Sequence, residues 1–408
     1  MTPELSLRDA QHAILDRITL LAPENTPLPR ALGRISAVSL KSTVPKPAFD
    51  QSTRDGYAVA AVPASVLGRN DLVSLRLAGE VAAGDLDRLT VRRGEAVRIM
   101  TGAMLPAGTK RVIPCEACRE EERGRIAIPA TAFGEPCRFI RKRGSTLAAG
   151  RVLVPQGRSI RPDHLLSLGE NNYTDLPVFR QPRVTVLCTG SELVVPGTRA
   201  RRGQKISGNS LLLGGLLAEC GAESFNQGTV RDQVDDIAGA LTAGLAARPR
   251  LILTTGGMGP GRYDLMEQVV ERLGGIIIYR ALQVRPGRAT LFALLGNIPL
   301  FALPGPPPAV RLLFHELVAP ALRKMQGRHR VYPRPLKARL TETVQIKKRG
   351  RLNLKGAVLS LEKDRLRARP AAATEAMNGI LLLPASSRRF EKGTEVTAHL
   401  VGRAAALF

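Results

Sequence analysis

Apolar residues at the start of the chain recur three or four positions apart, which is the spacing of one helix face. These residues are Leu7, Ala10, Ile14, Ile18 and Leu21. Ser6 and Asp9 form a capping-box pattern in front of them, so we expect a helix within residues 6–22. Between residues 45 and 140, short β-like runs are separated by Gly and Pro, which predicts a small, mostly β insert. Helical spacing returns around residues 162–168.

A different pattern begins near residue 184, where continuous apolar runs alternate with amphipathic stretches. The runs predict strands at 184–187, 224–229, 251–254, 275–278 and 300–303. The amphipathic stretches predict helices at 210–220, 233–246, 265–273 and 308–325. Strands that alternate with helices form a parallel, doubly wound sheet, which binds ligands at the carboxyl ends of its strands. Beyond residue 330 the alternation typical of half-buried strands returns, as at Val396, Ala398 and Leu400.

These patterns predict a multidomain α/β protein, and the length of 408 residues allows two to four domains. The predicted domains are a helical and linker domain at 1–44 plus 141–180, a β-rich insert at 45–140, a doubly wound, mostly parallel α/β domain at 181–329, and a C-terminal β domain at 330–408. The apolar fraction of 44% is that of an ordinary globular protein, so the composition is sufficient for packed cores.

The charge of the chain favours anionic partners, because 60 Lys and Arg against 35 Asp and Glu give a formal net charge of +25. Nucleic acid is the simplest such partner. However, the chain has no Trp and only 4% aromatic residues, so surfaces on which bases could stack are scarce. The basic residues between Arg323 and Arg369 are interleaved with strand-like sequence, which a solvated basic surface explains. We therefore expect phosphate or oxyanion ligands and no nucleic acid.

The five cysteines do not have the pattern of a disulfide framework, because their number is odd and their spacing wide. Cys115 and Cys118 form a lone pair without the second pair or nearby His that a metal site needs. We expect reduced thiols. The first residues do not resemble a signal peptide, and no apolar run approaches the ~18 residues of a membrane helix. The sequence thus predicts a cytoplasmic protein with no membrane partner.

A glycine-rich loop joins the predicted strand at 251–254 to the predicted helix at 265–273. Its sequence is Thr-Thr-Gly-Gly-Met-Gly-Pro-Gly-Arg-Tyr-Asp at 254–264. Glycines let a ligand approach the backbone, and N–H groups beside a helix start bind anions. Asp264 could hold a divalent metal against that anion. The loop therefore predicts a phosphate-bearing ligand.

Two further segments carry acidic candidates. Residues 47–59 place a turn residue beside every apolar one, which is typical of a structured functional loop rather than of a strand. Asp50 and Asp55 in this segment could serve a metal or act as a base, or could simply cap turns. Glu192 follows the strand predicted at 184–187 and would lie at the ligand edge of the sheet, although a surface carboxylate is an equal alternative.

Six segments, in this order, resemble the motifs of the molybdopterin molybdenumtransferase family, which includes the E domain of gephyrin. They are Pro-Ala-Phe-Asp-Gln-Ser-Thr-Arg-Asp-Gly-Tyr-Ala at 47–58, Gly-Glu-Val-Ala-Ala-Gly at 79–84, Arg-Ile-Met-Thr-Gly-Ala at 98–103 with Pro106 and Gly108 after it, Cys-Thr-Gly-Ser-Glu-Leu at 188–193, Thr-Gly-Gly-Met-Gly-Pro-Gly-Arg-Tyr-Asp at 255–264, and Leu-Pro-Gly-Pro-Pro at 303–307. The resemblance spans about residues 6–400.

The resemblance implies an elongated homodimer that joins molybdate to adenylylated molybdopterin. AMP is released, molybdenum cofactor is formed, and a divalent cation such as Mg²⁺ assists. Molybdopterin adenylyltransferase is a possible partner. Asp264 and Asp232 correspond to the carboxylates on the cation. Asp55, Glu192 and Asp264 correspond to the acidic residues needed for activity, and the insert that carries Asp55 would meet the α/β domain of the other subunit.

The same resemblance implies a set of substrate-binding residues. They are Thr101, Thr255, Gly256, Gly257, Gly259, Gly261, Arg285, Arg288, Pro304 and Gly305. The glycines would cradle phosphates through their N–H groups, and the two arginines would meet the oxyanion. Substrates of this kind need charge stabilisation during pyrophosphate cleavage, which N–H donors, basic side chains and one cation supply.

The chain departs from the family pattern at several oxyanion-side positions. Arg285 and Arg288 replace two lysines, Gly259 replaces a Ser, and Pro306 replaces an Asn together with its backbone N–H. A pterin-nucleotide-binding carrier or regulatory protein that has lost metal insertion is therefore an alternative. The Thr-Thr-Gly-Gly-x-Gly pattern also resembles the loop of the molybdopterin adenylyltransferases, so adenylyl transfer is a secondary possibility. The sequence leaves open molybdate versus tungstate, the identity of the cation and the enzymes that use the cofactor.

Overall fold

The computed structural model describes residues 4–63, 71–85, 89–134, 136, 138–258, 265–346, 350–373 and 375–402. The chain divides into two compact units. The first consists of Met1–Val38, Gln156–Pro162 and Asp175–Phe408, and the second of Ser39–Pro155 and Asp163–Thr174. Of the residues predicted to form the site, Gly259, Gly261 and Asp264 lie outside the described residues. The four-domain division drawn from the sequence stays a prediction.

The first unit is built on a six-stranded central sheet. In spatial order its strands are Glu223–Val230, Arg183–Thr189, Leu251–Thr255, Ile298–Leu303, Ala289–Leu295 and Ile276–Ala281. The first four strands are parallel to one another. Ala289–Leu295 is antiparallel to Ile298–Leu303 on one side and to Ile276–Ala281 on the other. The predicted mostly parallel α/β sheet is therefore confirmed, but the sequence missed the strand Ala289–Leu295, which lies antiparallel between Ile298–Leu303 and the edge strand Ile276–Ala281.

Both faces of the central sheet are buried, which explains the continuous apolar runs of its strands. Leu253 and Phe301 pack in one core, and their neighbours Ile252 and Ala302 pack in a second core on the opposite face. Helices cover both faces. The helices of this unit are Leu7–Leu15, Asn209–Glu219, Val234–Leu245, Leu265–Arg272, Pro307–Leu313 and Ala319–Met325, and a π-helical turn, Phe314–Val318, joins the last two.

The first helix is shorter than the sequence predicts. It ends at Leu15, and Ser6 caps it by accepting a hydrogen bond from the N–H of Asp9. Ile18 and Leu21 are nevertheless buried in the same core. After the helix ends, the chain continues along the same core. The N–H of Leu21 donates to the carbonyl oxygen of Met325. The helical spacing of apolar residues therefore extends past the end of the helix, because Ile18 and Leu21 pack in the same core without being helical.

The C-terminal part of the first unit forms a five-stranded barrel. Its strands are Arg334–Leu340, Leu352–Glu362, Arg365–Pro370, Gly379–Leu383 and Glu395–Leu400. The pairing of Leu352–Glu362 with both Arg365–Pro370 and Gly379–Leu383 closes the ring. Val396, Ala398 and Leu400 point into the barrel core, as their alternation predicts. The short strand Val284–Arg285 pairs with the barrel at Leu352 and Asn353.

The second unit contains a six-stranded, mostly antiparallel sheet. In spatial order its strands are Arg111–Pro114, Gly56–Val59, Glu95–Ile99, Leu72–Val81, Arg125–Pro129 and Arg119–Glu121. The prediction that residues 47–59 form a loop is wrong at its end, because Gly56–Val59 is a fully buried strand inside this sheet. A Cβ atom at Gly56 would overlap the carbonyl oxygen of Ile113 on the neighbouring strand, so glycine here permits close strand packing.

Several short elements complete the fold. The paired strands are Pro23–Pro27 with Asp175–Phe179, Leu40–Lys41 with Val152–Val154, Gln51–Ser52 with Ile140–Arg141, Leu193–Val194 with Lys205–Ile206, and Val344–Gln345 with Arg389–Phe390. The remaining helices are Pro162–Gly169 and the 3-10 turns Leu28–Arg30, Cys115–Ala117 and Ala130–Phe133. Among the described helices, none has the length and apolar character needed to cross a membrane.

The four cysteines in the described part of the chain are free thiols. Burial raises the pKa of Cys118 to about 12, so its thiol stays protonated at neutral pH. Cys137 lies outside the described residues.

Candidate functional site

The carboxyl ends of the four parallel strands meet at one edge of the central sheet. The strands end at Thr189, Val230, Thr255 and Leu303, and the register pairs Thr189 with Val230 and Thr255 with Leu303. The segments that follow these ends carry most of the site residues predicted from the sequence. Because parallel strands end side by side, these segments converge although they are far apart in the chain.

A cavity of about 710 Å³ opens at this edge. Its lining residues are Thr189, Gly190, Glu192, Leu193, Lys205, Ile206, Ser207, Gly208, Asn209, Asp232, Thr255, Gly256, Gly257, Met258, Leu265, Gly305, Pro306 and Pro307. Six predicted residues, Glu192, Asp232, Thr255, Gly256, Gly257 and Gly305, are among them. Pro304 lies directly between the strand end at Leu303 and Gly305. The volume is within the range of small-molecule sites.

The glycine turn at the end of the strand Leu251–Thr255 depends on the absence of side chains. Gly256 and Gly257 have φ angles of +94° and +66°, a region that L residues rarely adopt. A Cβ atom at Gly256 would also overlap the carbonyl oxygen of Thr189. The N–H of Gly256 donates to the carbonyl oxygen of Leu303 at 3.1 Å, which holds the turn against the adjacent strand end.

Buried polar atoms without partners concentrate at this cavity. Seven buried side-chain N or O atoms in the described part of the chain have no hydrogen-bond partner. Four of the seven belong to cavity-lining residues: Thr189 Oγ1, Ser207 Oγ, Asn209 Oδ1 and Asp232 Oδ1. Buried polar groups in folded proteins are normally hydrogen-bonded, so a cluster of exceptions indicates the place of a polar ligand or of bound water.

The charged side chains of the cavity are of both signs. Glu192 is exposed, and its carbonyl oxygen accepts a hydrogen bond of 2.8 Å from the N–H of Lys205, another exposed lining residue. The N–H of Asp232 donates to Ser191 Oγ at 3.2 Å, which positions the start of the segment after the strand Glu223–Val230. The cavity therefore has acidic side chains that can bind a cation and a basic side chain that can bind an anion.

Asp232 is the described carboxylate that best suits a divalent cation in this cavity, because its Oδ1 is buried and unpartnered. Mg²⁺ is commonly held by one or two carboxylates together with substrate phosphates. No group of three or more His, Cys, Asp or Glu residues within the described ranges could hold a metal by itself. The unpartnered carboxylate oxygen of Asp232 therefore fits a cation whose other ligands include oxygen atoms of a bound phosphate group.

Asp55 and Thr101 lie together in the second unit. Asp55 Oδ1 accepts hydrogen bonds from the Thr101 N–H at 2.6 Å and from Thr101 Oγ1 at 2.8 Å. These bonds lower the pKa of Asp55, so its carboxylate stays ionised. Asp50 accepts hydrogen bonds from Lys142 Nζ and from the N–H of Arg143, at 2.8 and 2.7 Å. Asp50 thus links its own segment to residues 142 and 143, which lie 92 and 93 positions further along the chain.

Arg285 and Arg288 are not among the described residues that line the cavity. Arg288 Nε donates to Glu4 Oε1 at 2.7 Å, and Arg351 Nη2 donates to Glu4 Oε2 at 2.9 Å. The hydrogen bond from Arg288, with the charges of both arginines, lowers the pKa of Glu4. The chain therefore supplies its own carboxylate to the arginine that the resemblance assigns to an oxyanion.

Sequence reasoning missed Lys205, Ser207 and Asn209, which line the cavity just before and at the start of the helix Asn209–Glu219. The prediction began that helix at residue 210 and gave no role to the polar residues in front of it. A helix that follows a parallel strand starts near the carboxyl edge of the sheet, so polar residues at its start were a usable signal.

Comparison with known proteins defines the class to which this fold and cavity belong. Residues 5–169 match the family described as MoeA N-terminal region (domain I and II), and residues 185–324 match the family described as probable molybdopterin binding domain. The carboxyl-edge cavity thus lies in the part of the chain that matches the probable molybdopterin binding domain.

Relatives that match most of the chain identify the family. A molybdopterin molybdenumtransferase of Nostoc sp. is 31% identical over 333 residues, which are 80% of this chain and 76% of the relative. Molybdopterin molybdenumtransferase 2 of Mycobacterium tuberculosis is 28% identical over 402 residues, covering 96% and 98%. The crystal structure of the molybdopterin biosynthesis MoeA protein of Pyrococcus horikoshii has a TM-score of 0.85 at 28% identity, covering 98% and 99%. The chain belongs to the molybdopterin molybdenumtransferase family.

Proposed function

We propose that this chain transfers molybdenum from molybdate to the dithiolene of adenylylated molybdopterin, with release of AMP and formation of molybdenum cofactor. The observation that carries the proposal is the cluster of unpartnered polar atoms at the carboxyl-edge cavity, at Thr189, Ser207, Asn209 and Asp232. This cavity lies in the part of the chain that matches a probable molybdopterin binding domain. The names of the relatives and the net charge of +25 support an anionic pterin substrate.

In this proposal the glycine turn binds phosphate groups. Thr255, Gly256 and Gly257 line the cavity. The N–H of Gly256 already donates to the carbonyl oxygen of Leu303, so a phosphate would approach the N–H groups that follow it in the turn, where glycine leaves room. Gly259 and Gly261 would extend the same cradle. Pro304 and Gly305, at the next strand end, would form the opposite wall.

Asp232, with Asp264, would hold a divalent cation such as Mg²⁺. The bound cation would neutralise charge on the phosphate oxygens during pyrophosphate cleavage. The protein's own part is to present the buried, unpartnered Oδ1 of Asp232 two residues beyond the end of the strand Glu223–Val230.

The remaining acidic residues would complete the site in a homodimer. Glu192 lines the cavity, and Asp55, held by Thr101, would come from the other subunit. Molybdopterin adenylyltransferase, which would supply the adenylylated substrate, is a candidate partner. Arg285 and Arg288 would meet the incoming molybdate, which would compete with the Glu4 carboxylate for Arg288.

The test is release of AMP from adenylylated molybdopterin in the presence of molybdate and Mg²⁺. We expect Asp232→Asn to abolish most of this release without unfolding the protein. Asp236→Asn is the matched control, because Asp236 is an exposed residue of the next helix that does not line the cavity. Folded wild-type protein that binds the substrate and releases no AMP would refute the proposal.

One observation favours a second candidate, a pterin-nucleotide carrier or regulatory protein without metal insertion. Arg288 and Arg351 are already engaged by Glu4, so this arginine pair has a carboxylate partner without any oxyanion. That candidate predicts tight binding of adenylylated molybdopterin, no AMP release, and no change of either property in Glu4→Gln. The transferase predicts that Glu4→Gln alters the molybdate concentration needed for half-maximal AMP release.

A further inference from the structure

Asn209 joins two walls of the carboxyl-edge cavity. It is the first residue of the helix Asn209–Glu219 and is buried. Its Nδ2 donates to the carbonyl oxygen of Gly305 at 2.8 Å and to Thr255 Oγ1 at 3.2 Å. One amide group therefore links the glycine turn after the third parallel strand to the turn after the fourth.

These bonds fix the orientation of the amide. The carbonyl oxygen of Gly305 can only accept a hydrogen bond, so the atom that faces it must be the NH₂ group. The other end of the amide is then Oδ1, an atom that accepts hydrogen bonds and cannot donate them. Among the residues that the structure describes, none donates to Oδ1, although the atom is buried.

An unpartnered carbonyl oxygen selects the kind of ligand group that can sit beside it. A phosphate or molybdate oxygen would repel it, because both atoms are acceptors. An N–H or O–H group would satisfy it and would remove the cost of a buried acceptor without a partner. The glycine turn offers the opposite chemistry, since backbone N–H groups suit anions. The two walls therefore favour different parts of one ligand.

We propose that Asn209 Oδ1 accepts a hydrogen bond from an N–H or O–H donor of the bound substrate, while Asn209 Nδ2 holds the two turns at the spacing that the substrate needs. This inference rests on the proposed transferase function. The donor is either an amino or ring N–H group of the pterin or a hydroxyl group of the nucleotide ribose. Asn209 is thus a specificity-determining residue of the cavity.

The experiment compares Asn209→Ala with the wild type in anaerobic titrations with molybdopterin and with AMP as separate ligands. The matched control is Asn226→Ala, which removes an exposed amide of the same sheet. Its Oδ1 accepts a hydrogen bond from the N–H of Gly228, and it is not among the described residues that line the cavity. We expect the Kd of one of the two ligands to rise about 10-fold to 100-fold in Asn209→Ala, since a buried polar group loses its partner. The Kd of the other ligand should match that of the control.

The outcomes separate the possible roles. Weaker binding of molybdopterin alone assigns the donor to the pterin, and weaker binding of AMP alone assigns it to the ribose. Equal affinities in Asn209→Ala and Asn226→Ala overturn the inference. Weaker binding of both ligands together with a lower thermal unfolding midpoint also overturns it, because this shows only that the turns have collapsed. If the wild type binds neither ligand and releases no AMP, the proposed function itself fails, and the inference fails with it.

Discussion

Single residues decide the shape of the cavity, and Gly256 is the clearest case. Its φ angle of +94° and the nearby carbonyl oxygen of Thr189 both exclude a side chain. Gly274 offers a matched comparison, because its φ angle is +67° but no atom lies within 4 Å of a Cβ atom placed there. Comparing alanine variants at the two glycines therefore separates the free-energy cost of the backbone conformation from that of the steric overlap.

We expect Gly256→Ala to lower the free energy of unfolding by about 1–3 kcal/mol more than Gly274→Ala, because only the first creates an overlap with backbone. The kcat/KM for AMP release should fall on the order of 10-fold or more in Gly256→Ala, since small displacements of a binding turn are costly. Urea unfolding and the AMP assay measure the two effects. Equal behaviour of the two variants would contradict the tight contact with Thr189.

His315 should make stability depend on pH. It is buried beside Phe314, and burial, with the charges of Arg323 and Arg311, lowers its pKa to about 4 from 6.5. The unfolded chain therefore binds a proton more readily than the folded chain. The free energy of unfolding therefore has its full value above pH 6.5, where His315 is neutral in both states, and it decreases as the pH falls from 6.5 towards 4.

The lowered pKa corresponds to about 3 kcal/mol of unfolding free energy across this pH range. We expect urea unfolding of the wild type to show this fall, and the fall to be smaller in His315→Gln, which has no group that titrates there. Parallel pH profiles of the two proteins would show that other groups cause the acid sensitivity.

At the scale of elements, the π-helical turn Phe314–Val318 attaches the helices of the first unit to the C-terminal barrel. Glu316 in this turn is fully buried, and its carboxylate oxygens lie 2.9 and 3.0 Å from Nδ1 of His399 on the barrel strand Glu395–Leu400. Gln11 Nε2, from the first helix, donates to the carbonyl oxygen of Glu316 at 2.9 Å. Glu316 thus ties together three separate elements, through its carboxylate to His399 and through its backbone carbonyl oxygen to Gln11.

His399→Ala should lower the free energy of unfolding by about 3–5 kcal/mol, because it leaves the buried carboxylate of Glu316 without its imidazole partner. Combining it with Glu316→Gln removes the uncompensated charge, so the double variant should lose less than the sum of the single variants. A double-mutant cycle in urea measures this coupling. Strictly additive losses would mean that the two side chains do not interact in solution.

The elements differ in how well the sequence predicted them, and the differences have physical causes. Strands buried on both faces, such as Leu251–Thr255, are continuous apolar runs, so their periodicity is plain. The strand Ala289–Leu295 is also mostly buried, but it follows the irregular segment after Arg285 and was missed. The dipeptide Gly296-Asn297, which turns the chain into Ile298–Leu303, was a hairpin signal. The turn residues that flank Gly56–Val59 dominate the local pattern and predict a loop, although the segment itself is a buried strand.

At the scale of the whole molecule, the proposal requires two copies of the chain. Asp55 and Asp232 belong to different compact units, and the family resemblance assigns them to one site through a homodimer. This arrangement can be tested by mixing subunits, because each inactive variant keeps the residue that the other lacks.

Asp55→Asn and Asp232→Asn should each be inactive alone. If they are unfolded together, refolded and allowed to pair at random, half of the dimers are mixed and each mixed dimer has one intact site. We expect about one quarter of the wild-type AMP release from the mixture. A mixture as inactive as its components, with mixed dimers demonstrated by mass spectrometry, would place both residues in one subunit.

The sequence alone determined the class of the fold and part of the candidate cavity, six of whose eighteen lining residues it named. Both are local properties: apolar periodicity marks buried strands, and glycine and acidic residues directly after those strands must lie at the carboxyl edge of the sheet. Only the tertiary structure decided which polar atoms of that edge remain unpartnered, that Asn209 links the turns at Thr255 and Gly305, and that Glu4 engages Arg288. The hydrogen-bonded partners in these contacts are separated in the sequence by between 46 and 284 positions. No local sequence pattern encodes such a pairing, because it arises from packing of the whole chain.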